Sequence, residues 1–227
     1  MNNFKALFTS ILLFLAINSS YAQDAEFSAF EGTLNYKVVY KGPASENLRT
    51  NEANDQLQIH MKDGDYIINL KGGRYPKTFM YVNDKDIEYS INMSEKKAFV
   101  YSAHTDMNRE THKSTKGKAP IAQYTGKTAE VNGVMCDVYR MKKEEDYFTF
   151  FVSDQYIVDL SFFEGKKRAK PFFLVNGLDG RIPLKTIRKT QNLTVVTTVS
   201  KITPRTFSAE QFELPEDFEV SKRDYRQ

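Results

Sequence analysis

The stretch QLQIHMKDGDYIINL, residues 56–70, predicts the fold most directly, because two alternating runs flank the pair Asp63-Gly64. Apolar residues occupy every second position on both sides of that pair. Alternation with period two indicates a half-buried β-strand, and Asp-Gly between two such runs is a hairpin signal. One face of the predicted hairpin carries Leu57, Ile59, Met61, Tyr66, Ile68 and Leu70.

The same pattern continues on both sides of this hairpin. Upstream, FEGTLNYKVVYKG (30–42) places Leu34, Tyr36 and Val38 on one face of a strand. Downstream, KTFMYVNDKDIEYSINMSEKKAFVYS (77–102) contains three short β-rich runs separated by clusters of turn residues. The regular short spacing predicts one continuous antiparallel sheet.

The second half of the chain resumes the pattern after an interruption. Residues 102–123 have no periodicity and predict a mobile loop, with a short helix inside it as the alternative. A hairpin then follows around Asn132-Gly133, an aromatic strand begins at Tyr147, and two Thr- and Val-rich strands lie within 181–204. Residues 155–176 fit either a strand or a short helix, and PFFLV within them fits either a buried plug or a strand.

Near the end of the chain, Ser208-x-x-Gln211 has the spacing of a capping box and predicts a single helical turn before Leu214-Pro215. Together these segments predict a mainly β protein, a single curved antiparallel sheet of half-barrel type with about ten strands and a few short helices. We expect one domain over residues 30–220, preceded by a flexible segment at 23–29 and followed by a tail at 221–227.

The first residues predict export. MNNFKALFTSILLFLAINSSYA (1–22) combines a charged Lys5, an apolar run of about a dozen residues and a small-x-small cleavage site at Ser20-Tyr21-Ala22. That run is shorter than a membrane span needs. We therefore expect a cleaved signal peptide, no stable membrane span afterwards, and a periplasmic or secreted protein of a Gram-negative envelope.

Composition excludes some classes of function. Without residues 1–22 the chain keeps 31 Lys+Arg against 29 Asp+Glu, because Lys5 is the only charged residue lost from the 32 and 29 of the full sequence. A near-balanced charge with only short Lys-rich runs argues against nucleic-acid binding. Hydrophobic residues make up 41% of the chain, enough for a sizeable core.

Cys136 is the only cysteine, so no internal disulfide can form. It alternates with Val134 and Val138 on one face of a predicted strand, with Asp137 and Tyr139 on the other. Its neighbours in sequence offer no His, no CxxC partner and no helix N-terminus to lower the thiol pKa. We predict a buried core residue rather than a reactive thiol.

Catalytic and metal-binding patterns are sparse. His104 and His112, with Asp106 and Glu110 between them, could in principle meet a metal, but their spacing matches no known zinc pattern. The carboxylate clusters fall at predicted hairpin tips, where water keeps a carboxyl from acquiring a raised pKa. The sequence has no phosphate-binding loop, no dinucleotide fingerprint and no nucleophile elbow, so we expect no enzyme and no cofactor.

The apolar face of the predicted sheet is the remaining candidate site. A curved sheet that does not close can present such a face to a cavity, which the protein's own segments either fill or leave open for an acyl chain. The ligand-binding residues predicted on this basis share the apolar face of three successive strands: Leu34, Tyr36, Val38, Leu57, Ile59, Met61, Tyr66, Ile68 and Leu70.

Three segments carry a family resemblance: GTLNYKVVY (32–40), GKTAEVNGVMCDVYRM (126–141) and FSAEQFELPEDFEV (207–220). They resemble secreted GLPGLI-type and allied domain-of-unknown-function proteins of Gram-negative envelopes, which look like relatives of the half-barrel outer-membrane lipoprotein carriers and receptors. The resemblance implies an incompletely closed sheet around a cavity, lidded by short helices, that takes lipoprotein acyl chains. The G-x-x-C of the allied families resembles Gly133 to Cys136, in a structural strand. Arg74, Arg140 and Arg181 are candidates for a carrier's latch arginine, but none lies in a matching motif.

The sequence therefore supports three hypotheses. The first is a non-enzymatic periplasmic protein that binds an apolar ligand, a lipid or an acylated protein, on the concave face of the sheet. The second is a filled β-domain that serves as an interaction or scaffold module for an envelope protein. The third is a hydrolase or metal enzyme around His104, His112 and Asp106.

Overall fold

The structure is a computed structural model that describes residues 29–46, 53–73, 77–102, 120–166 and 173–222, without the side chains of Tyr101 and Ser102. These residues form twelve strands in a single open curved sheet. The strands are β1 (Gly32–Lys41), β2 (Gln56–Lys62), β3 (Asp65–Lys71), β4 (Lys77–Val82), β5 (Ile87–Asn92), β6 (Lys97–Ser102), β7 (Gln123–Val131), β8 (Val134–Lys143), β9 (Asp146–Ile157), β10 (Arg181–Lys189), β11 (Thr194–Pro204) and β12 (Glu219–Lys222).

The sheet consists of two antiparallel meanders joined at β1 and β11. Its order is β12-β6-β5-β4-β3-β2-β1-β11-β10-β9-β8-β7, so the first and last long strands are neighbours at its centre. Every pair is antiparallel except the short β12, which lies parallel to β6. The mainly β, single-sheet prediction is confirmed, with twelve strands where the sequence predicts about ten. The short parallel strand β12 takes in Ser221 and Lys222, which the sequence places in the tail.

Both hairpins predicted from dipeptides form as expected. Asp63 and Gly64 have φ values of 46° and 84°, and Asn132 and Gly133 have 50° and 81°. Two consecutive residues with positive φ match the right-handed twist of the flanking strands, which is why Asp-Gly and Asn-Gly favour two-residue hairpins. The turns thereby fix the register of β2 with β3 and of β7 with β8.

Two faces of the sheet are defined by their residues on β1 and β2. The Tyr36 face carries Leu34, Tyr36 and the apolar residues that alternate with them on neighbouring strands, and the His60 face carries the residues between. Over β1–β4 the Tyr36 face packs against the segment that follows β9. Tyr66 stacks on Tyr81 at 5.0 Å between ring centroids, and Phe173 meets the edge of Tyr66 at 5.6 Å.

Residues 155–176, for which the sequence allows a strand, a short helix or a buried plug, are part strand and part plug. Strand β9 continues to Ile157, and Asp159 then caps a short 3₁₀ helix, η1 (Leu160–Phe163), by accepting a hydrogen bond from the Ser161 amide at 2.8 Å. Phe163, Phe173 and Leu174 are buried in the core. Within its described residues this segment is thus a plug over one half of the Tyr36 face.

The His60 face of β3–β6 is covered by the C-terminal segment, residues 205–218, which lies between β11 and β12. The predicted capping box is confirmed: Ser208 precedes a 3₁₀ helix, η2 (Ala209–Phe212), and its amide donates to Gln211 Oε1 at 3.2 Å. Phe212 is 2% exposed. Leu214 and Phe218 pack on a cluster of three buried sheet residues, Met80, Ile91 and Ala98.

Cys136 lies in the core, as predicted. Its side chain is buried, and burial raises the pKa of the thiol. A protonated, enclosed thiol is a poor nucleophile. The neighbouring Tyr139 is also buried, because the other side of β8 is covered as well.

Candidate functional site: an apolar cavity on the Tyr36 face

The nine residues predicted to bind a ligand do share one face of the sheet. Leu34 lies opposite Ile59, which lies opposite Ile68, and these three form one row across β1, β2 and β3. The remaining rows on the same strands contain Tyr36 with Leu57 and Leu70, Met61 with Tyr66, and Val38 further along β1. The alternation in the sequence thus predicted the common face correctly.

The protein itself covers much of that face. Leu34, Met61, Tyr66 and Ile68 are at most 6% exposed and belong to the cluster that contains the plug residues after β9. Their neighbours in that cluster include Phe163 and Phe173. This half of the face is a filled core.

The other half of the Tyr36 face contains a cavity of about 470 Å³. Three of the predicted residues, Tyr36, Leu57 and Ile59, lie in its wall. The rest of the wall comes from β8–β11 and from the chain between β9 and β10: Met141, Lys143, Phe148, Phe150, Phe173, Val175, Pro183, Thr186, Arg188, Val195 and Thr197. A volume of this size lies within the roughly 300–1,000 Å³ typical of small-molecule sites.

Aromatic rings form one side of this cavity. Phe148 and Phe150 alternate on β9, and their rings lie nearly parallel with centroids 5.9 Å apart. Because β9 pairs with β8 and β10, Phe148 stands beside Met141 and Arg188, and Phe150 beside Thr186. Contacts of this kind provide dispersion and exclude water, and they suit a hydrocarbon chain.

Tyr36 lies toward one end of the cavity wall. Its hydroxyl donates a hydrogen bond to the Pro183 carbonyl at 3.1 Å, which ties β1 to β10 across the intervening strand β11. The side chain is only 5% exposed. Burial raises the pKa of Tyr36 above its ordinary range, so the phenol stays neutral and serves as an anchor within the wall.

Charged side chains stand at the opposite end of the cavity, at the tips of two hairpins. Lys143 ends β8 and Arg188 lies near the end of β10. Arg188 Nε and Nη2 lie 2.8 Å and 2.7 Å from Asp146 Oδ2, and the guanidinium carbon lies 5.9 Å from the centre of the Phe148 ring. The lining therefore changes from apolar to cationic toward these tips.

Arg181 has a structural role in the packing of β8. Its guanidinium lies 4.9 Å from the centre of the Tyr139 ring and donates to the Tyr139 hydroxyl at 2.7 Å, while Nε donates to the Leu178 carbonyl at 2.9 Å. Asp154 and Asp179 lie 3.4 Å from it. The side chain thus holds the Leu178 turn against β8. Arg140 is exposed, and Arg74 falls outside the described residues.

The sequence did not identify most of the cavity wall. The alternation of Phe148 and Phe150 was visible, but nothing local predicts that β11 pairs with β1, which brings β9 and β10 to the same face as Tyr36. Thr186 and Thr197 carry no apolar signal, although their small side chains leave the space that the cavity occupies.

His104, His112 and Asp106, the predicted alternative metal site, lie outside the described residues. Across the described parts of the chain, no three His, Cys, Asp or Glu side chains are grouped so that they could hold a metal ion. Among those same residues, no helix has the length and apolar character that crossing a bilayer requires.

The fold and the cavity define a class of protein, an open antiparallel sheet with a partly filled apolar face. The chain belongs to the domain of unknown function family DUF4412, whose model matches residues 30–218 and so spans β1 to β11 and the whole cavity wall. The resemblance to a domain-of-unknown-function family is thereby confirmed. No curated protein matches the chain.

Several solved structures are similar over most of the chain. An uncharacterised conserved protein from Thermus thermophilus is 6% identical with a TM-score of 0.49, covering 85% of this chain and 91% of that one. PNGF-II is 8% identical with a TM-score of 0.45, covering 85% of this chain and 32% of that one. Lipoprotein LppX from Mycobacterium tuberculosis is 9% identical with a TM-score of 0.35, covering 89% and 98%. At these identities and scores the likenesses carry no functional information.

Proposed function

We propose that this protein is a non-enzymatic binding protein of the bacterial envelope that holds the apolar chain of a lipid or of an acylated protein in the cavity on the Tyr36 face. The observation that carries the proposal is the cavity of about 470 Å³ with its predominantly apolar wall. Of the nine residues predicted from sequence, Tyr36, Leu57 and Ile59 contact the ligand directly in this proposal, and the other six support the wall.

Hydrocarbon burial supplies the driving force. Each buried methylene contributes about 0.8 kcal/mol, so a chain that buries several of them offsets a substantial part of the roughly 4–15 kcal/mol cost of association. The rings of Phe148 and Phe150 and the side chain of Met141 provide the contact surface. Met adapts its shape easily, which suits chains of differing length.

The envelope location rests on the sequence of residues 1–22, which has the features of a cleaved signal peptide. In this proposal the mature protein is periplasmic or secreted, and its partner is a hydrophobic ligand or a lipoprotein. Native mass spectrometry with lipid extraction, on protein purified from a periplasm without detergent, tests location and ligand together. A stoichiometric apolar adduct is the expected result.

A matched pair of variants tests the cavity itself. Thr197 lies in the wall opposite Val38, whereas Thr198 pairs with Lys37 and Lys185 on the other face, and both threonines are half-buried. We expect Thr197→Phe to fill the cavity and abolish uptake of a fluorescent fatty acid, with the fold intact by circular dichroism. Thr198→Phe is expected to leave uptake unchanged. Equal uptake by both variants would contradict the proposed site.

The scaffold alternative is supported by one feature, the edge strand β7. Tyr124 is 52% exposed on this strand, and Ile121 just before it is 57% exposed. However, the register of β7 shifts between Tyr124 and Lys127, and Gly126 lies in that irregularity. Bulges and lysines are devices that blunt sheet edges against pairing. A clean apo mass without uptake of added fatty acid would favour this alternative.

A further inference from the structure

The charged side chains in the cavity wall lie at one end of it, and both are cationic. Lys143 and Arg188 are the only Lys or Arg side chains in its wall as the described residues define it, and that wall contains no Asp or Glu. Asp146, which pairs with Arg188, stands next to the cavity rather than in it. Two cations at the rim of the cavity do not attract an uncharged hydrocarbon, whereas they do attract an anionic headgroup.

The strand register explains why both cations stand at the same end. In the strand register, Lys143 lies opposite Asp146 at the tip of the β8–β9 hairpin, and Arg188 lies opposite Phe148 on the adjoining strand. Met141, Phe148 and Phe150 continue from this tip into the cavity. A chain lying along these side chains therefore brings its headgroup to the two cations.

Arg188 is suited to bind an anion while remaining paired. Asp146 Oδ2 engages its Nε and Nη2, and the side chain is still 50% exposed. A guanidinium has five N–H donors in a planar fork that matches carboxylate and phosphate oxygens. Asp146 orients the fork and also competes with an incoming anion, while Lys143 has no ion-pair partner among the described residues.

We infer that the ligand of this cavity is an amphiphile with one apolar chain and an anionic headgroup, a carboxylate or a phosphate, which Lys143 and Arg188 bind at the hairpin tips. The inference rests on the proposed function, since it assigns the headgroup of the ligand whose chain the cavity holds.

Probes with one chain length and different headgroups test this inference by isothermal titration calorimetry on delipidated protein at neutral pH. The probes are decanoate, decyl phosphate, decanol and decylammonium. We expect at least one of the two anions to bind about tenfold more tightly than decanol, and decylammonium to bind more weakly than decanol. Comparison of decanoate with decyl phosphate identifies the headgroup chemistry.

Variants at the rim locate the headgroup. Lys143→Gln and Arg188→Gln are each expected to weaken anion binding about tenfold and to leave decanol unchanged. Asp146→Asn removes the competing carboxylate and is expected to strengthen anion binding. Lys142→Gln is the matched control, because Lys142 lies over the Tyr147 ring, 5.2 Å from its centre, and outside the cavity wall.

The outcomes separate the two proposals. Equal affinity for all four probes, or anion binding that is insensitive to both Lys143→Gln and Arg188→Gln, overturns the headgroup inference and leaves the apolar site standing. Absence of binding for every probe overturns the proposed function, and the inference with it. Strengthened anion binding in Asp146→Asn, a variant that loses no cation, supports the inference independently of any loss of stability in Arg188→Gln.

Discussion

His60 shows how a single polar residue is accommodated on a covered sheet face. Its Nδ1 lies 2.8 Å from Thr33 Oγ1 and its Nε2 lies 3.1 Å from Gln58 Oε1, while the Phe207 ring packs edge-on against it. Gln58 in turn donates to Asn35 Oδ1 at 2.8 Å. This hydrogen-bonded row satisfies the polar atoms of buried and half-buried side chains on this face.

The surroundings of His60 predict a pH dependence of stability. Desolvation lowers its pKa, and the positive charges of Arg205 and Lys71 lower it further. The unfolded chain then binds a proton at pH values where the native ring stays neutral, so the native state loses stability as pH falls below about 6.5. Because the ring is only about half-buried, we expect a loss of less than about 1 kcal/mol.

Urea unfolding at pH 7.5 and pH 5.5 measures this contribution. His60→Gln, which keeps hydrogen-bonding atoms in place, is expected to show a smaller loss of unfolding free energy between the two pH values than the parent protein. His112→Gln, at a position outside the described residues, serves as the comparison. The same loss in the parent and in His60→Gln would show that other groups cause the acid sensitivity.

At the scale of elements, the two segments without strands decide what the sheet exposes. The plug after β9 fills one half of the Tyr36 face, and the C-terminal segment covers the His60 face of β3–β6. Periodicity could not predict the plug, because a short apolar run looks alike in a strand, a helix and a buried coil. The capping box at Ser208 was predictable, since its spacing has a local cause.

Substitution of Phe212 tests how much the C-terminal segment contributes to the stability of the fold. It is 2% exposed and contacts Phe207 at 5.4 Å between ring centroids, within η2 beside β3 and β4. Removal of a buried aromatic ring leaves a cavity, so we expect Phe212→Ala to lower the free energy of unfolding by about 3–5 kcal/mol. Chemical denaturation followed by circular dichroism measures the change.

Glu213 provides the matched control for that substitution. It follows Phe212 directly and its side chain is exposed. Glu213→Ala is expected to change the unfolding free energy by no more than about 0.5 kcal/mol. If Phe212→Ala were as mild as Glu213→Ala, the C-terminal segment would not be an integral part of the core.

At the scale of the whole molecule, the pairing of β1 with β11 joins the two meanders and creates the cavity. These strands pair over the full length of β1, from Gly32 opposite Pro204 to Lys41 opposite Thr194, with one irregularity at Asn35/Tyr36. Tyr36 and Val38 of β1 are brought to Thr197 of β11 only by this pairing.

Substitution of Gly32 tests how closely β1 and β11 approach each other at this junction. A Cβ at Gly32 would lie 2.5 Å from the Thr203 carbonyl oxygen, whereas one at Gly133 meets nothing within 4 Å, and both glycines have positive φ. We expect Gly133→Ala to cost about 1 kcal/mol for backbone strain alone. Gly32→Ala is expected to cost on the order of 3 kcal/mol, because the strands must also separate.

Thermal and urea unfolding of the two glycine variants measures the difference. An equal cost for both would mean that the contact between the start of β1 and the end of β11 is looser than the structure shows. A larger cost for Gly32→Ala, together with reduced fatty-acid uptake, would link the junction to the shape of the cavity.

The sequence by itself determined most of the strands, the two dipeptide hairpins, the buried state of Cys136 and the common face of the nine residues from Leu34 to Leu70, because alternation and turn chemistry are local properties. Only the tertiary structure decided which half of that face is filled and which is open. That outcome depends on the pairing of β1 with β11 and on the plug containing Phe163 and Phe173, contacts between residues far apart in the chain. For the same reason, the sequence could indicate an apolar face but not the cationic rim formed by Lys143 and Arg188.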